Sequence, residues 1–368
     1  MPALRIAILH DFFTSIGGGE KLTLELARAL KADIITTDID RQNWSRLQAH
    51  DIAFRSVGET IRFPILKQIH ASWLFARSKM EYDVYILSGS WCIFAARRHH
   101  PNLLYCHTPV RMFYSHFWDF LKICPWYAKP VFMLWILIHK LLLEARLFDV
   151  NAIVTNSKNT KKRIKKYYKR DAAVIYPPIR QYKHIRYGSF WLSVNRLYPH
   201  KRIELQIEAF RKLPDQQLWI VGGYAQGDHA HAYVKRIMKD LPKNVRFLGE
   251  IDESLLAELY GSCKGFIATS VDEDFGMNVL EAMSAGKSVV AVNEGGYTES
   301  VKNGKTGMLV EAKKEAIIKA VQSINKNPGR WRKACERRAA EFSEERFKRQ
   351  MSSAVAQVIR KYRRLQKA

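Results

Sequence analysis

The chain has 368 residues, of which 47% are apolar and 26% charged. That apolar share suffices for ordinary cores and excludes wholesale disorder, and the length favours two domains. Sixty Lys and Arg against thirty-five Asp and Glu leave a formal charge of +25. The charge says nothing about fold, but it selects anionic neighbours: nucleotides, phosphates, acidic lipid or nucleic acid.

The N-terminus, MPALRIAILHDF, holds a short apolar run with no small-residue cleavage site. It reads as a first buried strand over residues 4–10 and not as a signal peptide. A glycine-rich turn follows, then a helix over 20–30. Further strands are expected at 33–37, 83–87, 102–106 and 152–155, with helices between. Strands alternating with helices imply βαβ units and a parallel sheet. The pattern pauses at YPPI (176–179), where two prolines hold the chain extended. The polar stretch 180–188 reads as a linker. Alternation restarts with strands at 190–194, 218–221, 245–248, 265–269 and 288–292 and a helix over 201–212. The chain closes on helices over 330–342 and 345–366. The expected division is residues 1–180, 181–345 and a basic C-terminal helix, 346–368, returning to the first domain.

Five scattered cysteines without a CxxC disfavour a disulfide framework or zinc site and suit a reducing cytosol. The longest apolar run, 130–138, is shorter than the roughly 18 residues that span a bilayer. A soluble or peripheral protein is expected.

In open parallel sheets, ligands bind beyond the carboxyl ends of the strands. The candidate residues fall there. SVDEDFGMNVLEAM (270–283) runs from a strand through an acidic loop and a glycine into a helix. Its carboxylates, Glu273 and Glu281, suit sugar hydroxyls, and the helix-start amides suit a phosphate. Two solvated glutamates beside a cap are the plainer account. NRLYPHK (195–201) offers Arg196 and Lys201 to a diphosphate, or two ordinary surface cations. SIGGGEK (15–21) lets backbone amides approach an anion, or makes only a tight turn. It is neither GxGxxG nor a P-loop. YCHTPVR (105–111) places His107 and Arg111 at a strand end, for a substrate hydroxyl or for structure. GGYTE (295–299) permits close approach of a ligand, and Glu299 reads equally as a helix-start carboxylate.

Taken together, GGGEK (17–21), HTPVR (107–111), NS (156–157), YPPI (176–179), NRLYPHK (195–201), VGG (221–223), FLGEI (247–251), EDFGMNVLEAM (273–283) and GGYTE (295–299) resemble the retaining family 4 glycosyltransferases. The resemblance covers essentially the whole chain. It implies the GT-B fold: two Rossmann-like, doubly wound α/β domains facing across an interdomain cleft. The opening HDFFTSIGGGEK with YCHTPVR looks most like mannosyltransferases of polysaccharide and O-antigen assembly.

The resemblance also implies roles. Glu273 would bind donor-sugar hydroxyls and Glu281 the ribose. Arg196 and Lys201 would clamp the diphosphate. The backbone at Phe275, Gly276, Met277 and Asn278 would touch sugar and phosphate, and Ile251 would border the base. His107 would face the transferred sugar. Gly18 and Gly19 would line the phosphate, with Glu20 and Arg111 on the acceptor side. Asp274 replaces the commoner glycine after the first glutamate, a departure that bears on loop stiffness and donor choice. The implied donor is a GDP- or UDP-sugar, best read as GDP-mannose. No cofactor or metal is expected, the two DxD triplets (38–40 and 272–274) reading as surface carboxylates and as part of the glutamate motif. The implied acceptor is a polyprenyl-diphosphate-linked or other saccharide.

The apolar helix expected over 126–148 and the basic run at 161–170 suit an anionic membrane surface at the inner face of the cell membrane. A buried helix beside a solvated charged one fits the same residues. Two other readings stand beside transfer. One is a nucleotide-sugar 2-epimerase of the same fold. The other is a basic polyanion binder, although no nucleic-acid-binding signature is present.

Overall fold

The computed structural model describes residues 4–14, 17–40, 49–63, 65–224 and 230–367; Ser15 and Ile16 of the glycine-rich segment lie outside them. The chain divides into two units, residues 1–178 with 344–368, and residues 179–343.

In the first unit the described residues form a seven-stranded parallel sheet of order β3-β2-β1-β4-β5-β6-β7. Its strands are β1 (Ile6–Leu9), β2 (Asp33–Thr36), β3 (Phe54–Ser56), β4 (Val84–Leu87), β5 (Asn102–Cys106), β6 (Ala152–Thr155) and β7 (Ala173–Val174). The central strands IAIL, VYIL and NLLYC are buried at every position. Such continuous apolar runs are what a sheet covered on both faces requires. The cover comes from α1 (Gly18–Leu30), α2 (Leu66–Arg77), α3 (Phe117–Ile123), α4 (Lys129–Leu147) and α5 (Lys158–Tyr167).

The second unit carries a six-stranded parallel sheet of order β10-β9-β8-β11-β12-β13. It comprises β8 (Phe190–Val194), β9 (Gln217–Val221), β10 (Val245–Gly249), β11 (Gly265–Ala268), β12 (Val289–Val292) and β13 (Gly307–Val310). Its helices are α6 (Ile203–Arg211), α7 (Ala230–Met238), α8 (Glu253–Ser262), α9 (Met277–Ser284), α10 (Tyr297–Ser300), α11 (Lys314–Asn325) and α12 (Arg332–Ala340).

The last helix, α13 (Glu344–Leu365), belongs to the first unit. Its buried residues Phe347, Met351, Val355, Val358 and Ile359 recur at helical spacing and form one stripe. They join Ile6, Ile8, Leu26 and Val84 in one core on a face of the first sheet.

In each sheet the strand order reverses once: between β1 and β4, and between β8 and β11. Connections leave to opposite sides there, which opens a crevice beyond the strand ends.

Because Phe347 is buried in that core, Phe347→Ala is expected to lower stability by about 3–5 kcal/mol. Lys361→Ala, at an exposed position of the same helix, should stay within about 0.5 kcal/mol. Urea unfolding midpoints of the two variants check both.

Candidate functional site

The second unit's crevice is built from the segments that follow β8 and β11. Helix α6 starts at Ile203, two residues later than the sequence pattern implies. Residues Pro199–Lys201 form a single 3-10 turn, and Arg202 then adopts a left-handed conformation, φ 50°. A left-handed residue breaks the helical run, so Lys201 lies in the turn and not in the helix. The turn is fastened to the end of β11: the Thr269 hydroxyl lies 2.8 Å from the carbonyl of Lys201 and 3.1 Å from that of Arg202. The amide of Val271 donates to the carbonyl of His200 at 2.7 Å.

This fastening brings Lys201 and Glu273 together. Lys201 Nζ donates to Glu273 Oε2 at 2.7 Å, and both side chains are largely buried. Burial pushes the Glu273 carboxyl upward, and neighbouring Asp274 adds to that push. The Lys201 charge, with hydrogen bonds from Lys201 and Ser270, outweighs both and holds the carboxyl below its ordinary value. Arg196, exposed just beyond β8, stands on the same connecting segment as Lys201.

The acidic loop is held from behind by the next glycine pair. The amide of Gly296 donates to the carbonyl of Glu273 at 2.7 Å. A Cβ on Gly296 would stand 2.4 Å from Phe275 Cα, so no larger residue fits against the loop. Gly276 caps α9 at φ 81°, a conformation that favours glycine. The first-turn amides of α9, from Met277 onward, lack intrahelical partners. Asn278 spends its side chain on the scaffold, donating to the carbonyl of Val194 at 2.9 Å. Glu281 lies further along α9, where the buried Tyr260 hydroxyl donates to Oε2 at 3.0 Å. Ile251 is half-buried between β10 and α8.

In the first unit, α1 starts at Gly18 and not at residue 20, with extended Gly17 as its cap. Gly18, Gly19 and Glu20 therefore form the first helical turn, whose backbone amides point out of the helix end. A side chain added at Gly19 would meet nothing within 4 Å, so the space beside it is open.

The crevice between β1 and β4 holds a polar cluster of which sequence reasoning named His107 and missed His10, Asp11, Thr23 and Ser88. Ser88 Oγ lies 2.9 Å from His107 Nε2 and 3.0 Å from Thr23 Oγ1. Thr23 donates to the carbonyl of Gly19 at 2.9 Å and lies 3.2 Å from His10 Nδ1. Nδ1 of His10 also donates to the carbonyl of Ser88. Next to it, Asp11 accepts from the amides of Ser90, Trp91 and Cys92 at 2.6–2.8 Å. Burial holds its carboxyl above the ordinary range, against the pull of His10 and those amides. The signal available was the HD pair directly after the first apolar run.

Arg111 follows His107 by four residues. It lies in a short turn with Nη1 3.1 Å from His116 Nε2. Asp38 of the first DxD triplet accepts from Thr60 and pairs with Lys67 at 3.2 Å. Among the described residues no group of three or more His, Cys, Asp or Glu is placed to hold a metal ion.

Two doubly wound parallel-sheet units with polar groups at their switch points are the components of the GT-B fold. The solved structures agree on the fold. HepE from Anabaena, in complex with UDP and glucose, superposes with a TM-score of 0.76 at 18% identity, covering 96% of this chain and 99% of that one. Sucrose-phosphate synthase from Thermosynechococcus elongatus gives 0.74 at 18% identity, with the same coverage of each chain. The profile of Glycosyltransferase Family 4 matches residues 16–181, and that of Glycosyl transferases group 1 matches residues 179–342. The chain belongs to this family and is a glycosyltransferase. Similar curated proteins include the alpha-1,3/1,6-mannosyltransferase ALG2 of Candida glabrata, 26% identical over 88% of this chain and 86% of that protein. The human ALG2 is 25% identical over 89% of each.

The Glu273 shift fixes the sign of a pH effect. A carboxyl whose folded value is the lower one stabilises the fold above its ordinary value, here 4.5, and loses that contribution as pH falls through the folded value. In Lys201→Met, burial acts unopposed by that cation and the folded value rises. The stability gap between wild type and Lys201→Met should therefore be widest near pH 7 and shrink below about pH 4.5. Urea titrations at the two pH values measure it; a constant gap would count against the pair.

Proposed function

We propose that the chain transfers mannose from GDP-mannose, with retention, to a lipid-linked saccharide in polysaccharide or O-antigen assembly. The observation that carries the reading is the likeness to mannosyltransferases over nearly the whole chain: ALG2 relatives match 88–89% of it. The relatives reported are transferases by name, which gives the epimerase alternative no support, and membership of an enzyme family displaces the polyanion-binder reading.

Transfer breaks the bond between the sugar's anomeric carbon and the diphosphate oxygen, which leaves negative charge on the nucleoside diphosphate. Arg196 and Lys201 neutralise that charge together with the first amides of α9. In this reading the cations do what a divalent ion does elsewhere, so no metal is needed. Glu273, kept ionised beside Lys201, accepts from the sugar hydroxyls, and Glu281 accepts from the ribose. Ile251 borders the base. Gly18 and Gly19 admit the phosphate, with Glu20 and Arg111 toward the acceptor. His107, held by Ser88, faces the sugar. The acceptor oxygen attacks the same face that the leaving group vacates, and its proton passes to a donor phosphate oxygen. No protein nucleophile is required.

No described helix is long and apolar enough to cross a membrane. The lipid-linked acceptor and the charge of +25 support contact with an anionic membrane from the cytoplasmic side.

Arg196→Ala, Lys201→Ala and Glu273→Ala should each lower kcat by roughly 10²–10³-fold. Circular dichroism should confirm that the fold survives. Near-normal turnover in the Arg196/Lys201 double variant would overturn the leaving-group assignment. Among GDP-mannose, UDP-glucose and UDP-GlcNAc, GDP-mannose should raise Tm most and be the one consumed, with turnover unchanged by EDTA. Preference for a UDP-sugar would move the donor assignment and leave the transferase.

A further inference from the structure

Helix α4 is apolar on two faces, with Lys140, Glu144 and Arg146 gathered toward its C-terminal half. Its inner face, with Trp135, Ile136, His139, Leu143 and Leu147, is buried in the first unit's core. Its outer face exposes Val131, Leu134, Leu137, Ile138, Leu141 and Leu142, each about half or more open to solvent. Leu134, for example, is 58% exposed. The outer positions recur at steps of three and four, so they form one continuous stripe.

Helix α2 lies beside it, joined where Ser72 Oγ meets His139 Nε2 at 3.0 Å. α2 buries Ala71, Ser72 and Phe75 and exposes Leu66, Ile69 and Trp73. An apolar area of this extent on a soluble surface marks something that covers it.

The border identifies the cover. Trp126 is 82% exposed at the start of α4, and Tyr127 and Trp118 are exposed near it. Aromatic side chains with a polar tip collect at the membrane–water boundary. Exposed Arg77, at the end of α2, lies 5.0 Å from the Trp73 ring, and Arg62 and Lys122 are exposed shortly before α2 and α4 in the chain. A second copy of the chain is a poor occupant, because each copy brings a charge of +25. The same charge favours an anionic bilayer.

We propose that α2 and α4 form a plateau that embeds in the headgroup boundary of an anionic membrane. This deepens the membrane reading above by naming the face. The sequence reading pairs the apolar helix with the basic run; here α2 joins α4 in providing the insertion, and the basic helix α5 contributes attraction.

The test uses the full-length protein and vesicles of equal parts phosphatidylglycerol and phosphatidylcholine. Leu137→Asp/Leu141→Asp should lower partitioning on the order of 100-fold, since two carboxylates replace inserted apolar groups. Lys162→Gln/Lys165→Gln, on exposed positions of α5, should lower it by about 30-fold at low salt, a loss that added salt abolishes, whereas that of Leu137→Asp/Leu141→Asp persists. Brominated lipid should quench tryptophan fluorescence of the wild type and less that of Trp126→Phe. Unchanged melting curves confirm that both double variants fold. Wild type that binds no vesicles would overturn the membrane reading itself. Wild type that binds, with Leu137→Asp/Leu141→Asp binding equally, would overturn only the assigned face. A wild-type dimer in sedimentation that this variant dissolves would show that a second copy covers the face, and would also overturn the assignment.

Discussion

The second unit's site depends on one ion pair, Lys201 with Glu273. Each side chain is about one-fifth exposed, so neither charge is fully hydrated. A lone carboxylate in that position would be driven toward its neutral form. The ammonium at 2.7 Å reverses the tendency and keeps the group an acceptor. Desolvation offsets much of the attraction in such a pair, so stability alone is a weak reason for it. Position is the stronger reason. The pair ties together the two segments that leave the sheet where its strand order reverses. The same contact therefore fixes both the charge state of the loop and its distance from Lys201.

The backbone makes this arrangement possible. A carboxylate loop stays in one place only if something rigid lies behind it. Here that support is main chain against main chain, at Gly296 and the loop 273–275, where a side chain on the glycine would have no room. Thr269 performs the matching task on the other side, holding the turn that carries Lys201. The first unit solves the same problem by other means. Its crevice is set by side chains, with Asp11 gripping three consecutive amides and Ser88 standing between Thr23 and His107. Two sheets of like topology thus place polar groups at the same topological point with unlike chemistry.

Much of this was legible in the sequence, for a definite reason. Central parallel strands are buried on both faces, so IAIL, VYIL and FWLSV stand out as apolar runs and mark the segments after them as site candidates. The strands that escaped notice, β3, β7 and β13, lie at sheet edges and are largely or partly exposed, so no such run announces them. The late start of α6, at Ile203 and not at residue 201, was not legible either. It turns on Arg202 taking a left-handed conformation that its residue type does not announce. The His10, Thr23, Ser88 and His107 cluster is assembled from four separate segments, and the pairing of β1 with β4 and of β4 with β5 brings three of them together. Local pattern carries no such information.

The charge of +25 and the few charges at the crevices act on different length scales. At physiological ionic strength an exposed charge is screened beyond roughly 8 Å. The collective field therefore raises the concentration of anions near the protein without orienting any of them. Choosing which bond of a bound donor is polarised requires groups in contact with it, held where desolvation strengthens their effect. Lys201 meets that condition because Thr269 and Glu273 fix both its backbone and its tip. Lys158, Lys162, Lys165 and Lys166 of α5 do not, lying at exposed positions along the helix. Removing surface cations should then change how often anions arrive, whereas removing Lys201 changes what happens after arrival, and this difference separates attraction from chemistry in a chain so rich in lysine.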